Sequence, residues 1–282
     1  MWRFFLFLVL ILTVAAVCFA FQIIFTSDLH ESLVKNGMGP YGLVDYLSNT
    51  DRSRVLVLDS GDIFDSKLQL PFLGDNRESV LRYIQKVNYD AMVLGNHEYY
   101  FSHEWLEIYK RINKSLIGAN VQDLEPFHIF EIDGMKIAVI GLTTIQHLAN
   151  QIEHAQNLPS DPLEALKKTL RILPKMDYII CLNHLPHEID IKILELFPEV
   201  NLVLSGHDHR GPELKKIKEG YLFEAASHAE SVYLLDVNPT QRVVTYRQLG
   251  LMTDYVIQND NTGMLLLIGT IVGILSLLWV LF

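Results

Sequence analysis

Apolar residues along this chain gather in short uninterrupted runs rather than in strict alternation. Ile23–Ser27, Val55–Asp59, Ala91–Leu94, Lys136–Leu142, Tyr178–Leu182 and Leu202–Leu204 are dominated by β-branched or apolar residues and end in polar loops. Runs of this length predict strands buried on both faces of a sheet. Helical start signals lie between them. Pro40 opens a helix through Leu47, and Asp75 with Glu78 resembles a capping box ahead of Val80, Leu81 and Ile84. Asp161, Pro162 and Glu164 supply a cap, a first-turn proline and a third-position acid before Leu166 and Leu170. Asp133-Gly134 between two apolar runs predicts a hairpin, and a second antiparallel pair is expected over Ser231–Val237 and Arg242–Leu249. Alternating strands and helices with antiparallel additions predict an α/β sandwich, sheets inside and helices outside.

The two ends depart from this pattern. Met1–Ala20 reads as a secretory signal, with Arg3 as a short positive region, Phe4–Val17 as the apolar region and Cys18-Phe19-Ala20 before the cleavage point. An uncleaved anchor is the alternative. Met264–Phe282 carries no charge over nineteen residues. At ~1.5 Å per residue, a helix of that length crosses a hydrocarbon core of ~30 Å. Acidic Asp254 and Asp260 flank that run while Arg3 is basic, so the positive-inside rule puts the globular part outside the cytoplasm, at the cell surface or periplasmic face. The expected organisation is a signal or signal anchor over 1–21, a globular domain over 22–250, a polar linker over 251–262 and a transmembrane helix over 263–282.

Composition narrows the chemistry. The chain has 23 basic and 33 acidic residues, a formal charge of −10, and no basic stripe, which argues against a nucleic-acid surface. A phosphorylated substrate stays compatible, because bound cations supply positive charge locally. Cys181 is the one thiol outside the N-terminal apolar segment, so the globular part has neither an internal disulfide nor a cysteine-rich metal site.

The residues that carry chemistry follow the predicted strands. Asp28 and His30 sit in SDLH, Asp62 in DSGD, Asn96 and His97 in GNHE, His184 in CLNH, and His207 with His209 in SGHDH. Ligands gather at the carboxyl ends of strands in open α/β sheets, so five strand ends deliver Asp, Asn and His to one rim. Asp28/His30 and His207/His209 are i, i+2 pairs whose side chains share a side of an extended chain. Glycines 61, 95 and 206 allow tight turns beside them. Oxygen and imidazole donors without thiolate favour Mn, Fe or Zn. Seven candidate ligands are too many for one tetrahedral ion, and they suit two divalent ions about 3.5–4 Å apart sharing a carboxylate.

DxH, GD, GNHE, H and GHxH in this order resemble the calcineurin-like metallophosphoesterases. The likeness is nearest to the catalytic domain of bacterial 5′-nucleotidases and UDP-sugar hydrolases, with GAN at 118–120 and GMKIAVIGLTT at 134–144 fitting that branch. The resemblance implies a four-layer α/β/β/α sandwich, here followed by a C-terminal transmembrane helix. It implies that Asp28, His30 and His209 hold one metal, that Asn96, His184 and His207 hold the other, and that Asp62 bridges them. The two ions would activate a hydroxide for attack on phosphorus, with His97 stabilising the transition state or protonating the leaving oxygen. Asp208 is expected to orient a histidine or face solvent. Two departures stand out: Tyr100 occupies the place of the aspartate that orients the nucleotidase histidine, and no nucleoside-gripping domain is expected before the apolar run. The substrate is thus expected to be a small phosphorylated molecule, with a nucleotide monoester favoured over a diester. A catalytically weak binding or interaction module at the membrane is the reading from another class. His187 and His228 are the remaining histidines best placed by sequence to touch a substrate, while Tyr99, Tyr100, Phe101 and Trp105 are read as packing for a helix starting near Ser102.

Overall fold

The computed structural model of the protein describes residues 21–30, 41–64, 77–101, 103–144, 158–226 and 232–249. The apolar segments at both ends, the 251–262 linker and Asp75 of the expected capping box lie outside them. Among the described residues, no helix is long and apolar enough to cross a membrane. The elements run β1 (Phe21–Thr26), α1 (Tyr41–Ser48), β2 (Val55–Asp59), α2 (Arg77–Val87), β3 (Ala91–Met92), α3 (His103–Ile112), β4 (Phe127–Ile132), β5 (Met135–Thr143), α4 (Pro162–Ile172), β6 (Tyr178–His184), α5 (His187–Leu196), β7 (Leu202–Ser205), β8 (Glu213–Ile217), β9 (Gly220–Glu224), β10 (Val232–Asn238) and β11 (Val243–Leu249). One mixed sheet has the order β11-β10-β1-β2-β3, and the other β4-β5-β6-β7-β9-β8.

The uninterrupted apolar runs are explained by what covers each face. In β1, Phe21, Ile23 and Phe25 pack toward the second sheet, while Ile24 packs with Leu43, Leu47, Val80 and Ile84 of the helices. In β6, Tyr178, Ile180 and Leu182 face the first sheet, while Ile179 and Cys181 meet Ala165, Leu166, Ile193 and Leu194. Strands sandwiched between a partner sheet and a helical layer need apolar residues at every position, and the period-2 signal disappears. Three hydrophobic clusters thus separate four layers, helix–sheet–sheet–helix, as the sequence predicts.

Local signals act as expected in two places. Asp161 accepts a hydrogen bond from Glu164 N at the start of α4, with Pro162 in the first turn. Asp133 and Gly134 join β4 to β5 with φ of 51° and 78°, the left-handed pair that a two-residue hairpin requires. The β8–β9 hairpin is absent from the sequence reading. β8 (ELKKI) is a half-exposed edge strand whose charges give no buried-strand signal. The third predicted strand shortens to Ala91–Met92, because beyond it the chain bends into the loop carrying Asn96.

The segment after α3 ties the two sheets together. Met92 N donates to Ser115 O (2.8 Å) and Ile117 N to Met92 O (2.9 Å), while Ala119 N reaches across to Gly141 O (2.7 Å). Asn120 then clamps the end of β5, donating to Thr143 O (2.7 Å) and accepting from Thr143 N (3.0 Å).

Phe223 lies at the centre of the inter-sheet layer, its ring 5.8 Å from Phe25, 5.1 Å from Tyr233 and 4.8 Å from Tyr246. Phe223→Ala is therefore expected to cost about 3–5 kcal/mol. Asp161→Ala, which removes only a cap, is expected to cost about 0.5–2 kcal/mol. Urea unfolding of both variants checks the order, and a larger loss at the cap would contradict this packing.

Candidate metal centre

Strand register brings the chemistry to one edge. In the first sheet Thr26 is level with Asp59, and Asp59 with Met92; in the second, Thr143 is level with His184, Asn183 with Ser205, and Ser205 with Glu224. Asp28, His30, Asp62, Asn96 and His97 leave the first sheet just past that line. His184 ends β6, and His207 and His209 leave β7. The two sets meet across the sandwich: His184 Nδ1 donates to Ser60 O (2.7 Å), and His207 N donates to the Asp28 carboxylate (3.2 Å).

Such an approach leaves no room for side chains at the contact. A Cβ on Gly206 would collide with Ser27 Oγ and Asp28 Oδ2, and, between neighbouring loops of the first sheet, one on Gly95 would collide with Asp62 Oδ1 and Asp62 N. The turns themselves are tight. Asp28, His30, Asp62, His207 and His209 all have φ between 44° and 79°, in the left-handed region. Non-glycine residues held there cost of order 1 kcal/mol or more each, and they persist where surrounding contacts fix them. Here Asp28 N donates to Gly61 O and His30 N to Asp62 O, both at 3.0 Å.

Two buried carboxylates that the sequence reading did not single out build these loops. Glu98 accepts from Gly95 N (2.6 Å), Phe64 N (3.1 Å) and Asp62 N (3.2 Å), so one side chain joins the loops after β2 and β3. Asp59 accepts from Thr26 Oγ1 (2.6 Å) and Gly61 N (3.0 Å). Burial raises both, Glu98 to about 8 and Asp59 to about 7. No spacing rule flags them, since Phe64 N and Asp62 N for Glu98, and Thr26 Oγ1 for Asp59, are brought to them by the fold.

The predicted ligand atoms converge. Asp28, His30 and His209 each offer a donor atom within 4.8 Å of the others, as do Asp28, Asp62 and His184, and also His30, Asp62 and His97. His209 Nε2 lies 3.0 Å from Asp28 Oδ1 and 3.4 Å from His30 Nε2. Asn96 Oδ1 lies 3.1 Å from His184 Nε2 and 2.9 Å from His207 Nδ1. Asp62 Oδ2 lies 3.1 Å from His184 Nε2 and 3.8 Å from His97 Nε2, while its Oδ1 accepts from His97 N (2.7 Å).

The donors divide by protonation. Burial alone would raise both aspartates. For Asp28, the hydrogen bond with His209 and nearby His184 outweigh it and hold the carboxyl below its ordinary range. For Asp62, His184 outweighs it and holds the carboxyl well down. Burial lowers His30 and His207 to about 4, leaving neutral imidazoles. Burial opposes charge on His184 too, but Asp62 raises it to about 10. With Nδ1 committed to Ser60 O, a proton on His184 Nε2 meets Asp62 Oδ2 and Asn96 Oδ1, where a cation would find the same acceptors. Ionised Asp28 and Asp62, the Asn96 amide oxygen and neutral His30 and His207 are forms that bind divalent metals, while at His184, and at His209 where the bond to Asp28 favours the charged form, a cation would take the place of a proton.

Other predicted positions separate from this cluster. His187 is buried, its Nδ1 2.7 Å from Glu224 Oε1, and that nitrogen faces the protein rather than a substrate. His228 lies outside the described residues. Phe101, Trp105 and Tyr109 pack with Phe64 as an aromatic stack, which is the packing role expected for two of them. Tyr100 sets its ring 5.2 Å from that of His97 at 89°.

The profile of the calcineurin-like phosphoesterases matches residues 21–211. A 5′-nucleotidase of Vibrio cholerae is 32% identical over 238 residues, covering 69% of this chain and 42% of that protein, so the chain spans less than half of its relative. The solved structure of a 5′-nucleotidase precursor from Thermus thermophilus superposes with a TM-score of 0.64 at 22% identity, over 81% of this chain and 53% of that one. A dimetal phosphatase from Danio rerio superposes with a TM-score of 0.57 at 16% identity, over 86% of this chain and all of that one. At these identities the two structures speak for the fold alone. Ordered motifs, register and profile agree: the chain belongs to the calcineurin-like phosphoesterase family.

Proposed function

We propose that this protein is a metal-dependent phosphomonoesterase of the 5′-nucleotidase type, acting on a small phosphorylated substrate. The observation that carries the reading is the convergence of Asp28, His30 and His209 with Asp62 and His184, donors from both sheets within one rim. Asp28, His30 and His209 would hold one divalent ion, and Asn96, His184 and His207 the other. Asp62, close to both groups, would bridge them. When bound, the ions supply positive charge for the phosphoryl oxygens and make water a stronger nucleophile at neutral pH. Mn, Fe and Zn all suit the donors. The nucleotide preference draws on the 5′-nucleotidase relative.

The chain's own residues do the remaining work. Glu98 and the Gly95 contact hold Asp62 in place, so its carboxylate is fixed before substrate arrives. Buried Asp28 and Asp62 stay ionised, which keeps both carboxylates available across neutral pH. His97 sits beside this cluster, its ring 4.6 Å from that of His30, and is placed to give a proton to the leaving oxygen. Tyr100 packs against that ring at the place where the nucleotidase pattern has an aspartate. Extracytoplasmic placement with a cleaved signal or anchor over 1–21 and a membrane helix over 263–282 completes the proposal, and rests on the sequence.

Two outcomes check it. Mn²⁺-dependent hydrolysis of p-nitrophenyl phosphate is expected to exceed that of bis-p-nitrophenyl phosphate, and to vanish with chelator or in Asp62→Asn. Preference for the diester would move the assignment to a phosphodiesterase, and no turnover by folded, Mn²⁺-loaded protein would favour a binding module. His97→Ala is expected to lower kcat on a nucleoside monophosphate by about 10²–10⁴-fold, and to spare p-nitrophenyl phosphate, whose leaving group needs little protonation. Equal losses on both substrates would remove the proton from His97's role.

A further inference from the structure

The turn that carries His207 and His209 is fastened to the start of α5 by the residue between them. Asp208 Oδ2 accepts a hydrogen bond from His187 N at 2.7 Å. α5 begins after Pro186, which offers no side-chain cap to the first free N–H groups. An acid from the β7 turn therefore supplies that cap, and its charge is favourable at the positive end of the helix dipole.

The helix end it grips is held independently. Asn183 Nδ2 donates to Asp190 Oδ1 (2.8 Å), joining the first turn of α5 to the residue before His184. His187 Nδ1 lies 2.7 Å from Glu224 Oε1 at the end of β9. Asn183, Asp190 and Glu224 are all buried. The anchor is thus rigid on the side away from the cluster. On the near side, Gly206 N donates to Asn183 O (3.2 Å) and His207 N to the Asp28 carboxylate. The two imidazoles flank Asp208 on residues with φ of 79° and 54°, so its position sets both of them.

We propose that Asp208 is a positioning residue: by capping α5 it fixes the turn from which His207 and His209 reach the two cation sites. The proposal rests on the metal assignment above. Because the flanking histidines serve different ions, losing the cap weakens both sites together. What matters is the acceptor oxygen and not the charge, since Asn caps a helix about as well as Asp.

The test compares Asp208→Ala and Asp208→Asn with wild type in the full chain. Mn²⁺ affinity is read by titration calorimetry, and α5 amide protection by hydrogen exchange with chelator present. Asp208→Ala is expected to lose protection in the first turn of α5 and to bind Mn²⁺ about 10–100-fold more weakly at both sites, the range seen when groups behind metal ligands are removed. Asp208→Asn is expected to restore both. Asparagine as damaging as alanine would show that the charge acts directly on cation or substrate and would overturn the positioning role. So would alanine that binds Mn²⁺ like wild type. Wild type that binds no Mn²⁺ would instead overturn the metal assignment, and the positioning role with it.

Discussion

Two sheets packed face to face normally leave their strand ends apart by the thickness of a side-chain layer, about 10 Å. In this protein that gap closes at one edge. Backbone and side chain touch directly there, through His184 Nδ1 to Ser60 O and His207 N to Asp28. Close approach, at this seam and between the loops after β2 and β3, shapes the rest of the rim. Gly95 and Gly206 are required because a methyl group would occupy the space of Asp62 or of Ser27 and Asp28. The left-handed turns are required because a chain leaving a strand must reverse at once to keep its side chain at the seam. Charge is then concentrated where water is scarce, and the histidines hold the Asp28 and Asp62 carboxyls in their ionised forms.

What the chain disclosed before folding was uneven, and the reason is physical. Strands buried on both faces announce themselves through composition alone, so β1, β2, β5, β6 and β7 were legible to within a few residues. The Asp133-Gly134 turn and the Asp161 cap were legible because their chemistry is local. β8 was not, since a charged edge strand is specified by its pairing with β9 rather than by its own residues.

The same division runs through the site. Aspartate, asparagine and histidine after strand ends stand out because few packing roles suit them there, and the seven proposed ligands were picked out that way. Glu98 and Asn120 act on backbone groups of other segments, Asp59 on the Thr26 hydroxyl of the neighbouring strand, and nothing near them in sequence hints at those partners. Tyr100 was legible as a departure from the nucleotidase pattern, but its edge-on contact with His97 is a property of the folded loop.

The order of the first sheet bears on how the protein is made. β1 lies between β2 and β10, and β10 in turn between β1 and β11. As the chain leaves the ribosome, β1 gains β2 early, yet its other edge stays open until residues 232–238 emerge. By then all seven proposed ligands have been synthesised. The donors can assemble on a half-finished sheet with an exposed apolar edge, a species prone to pairing with other chains.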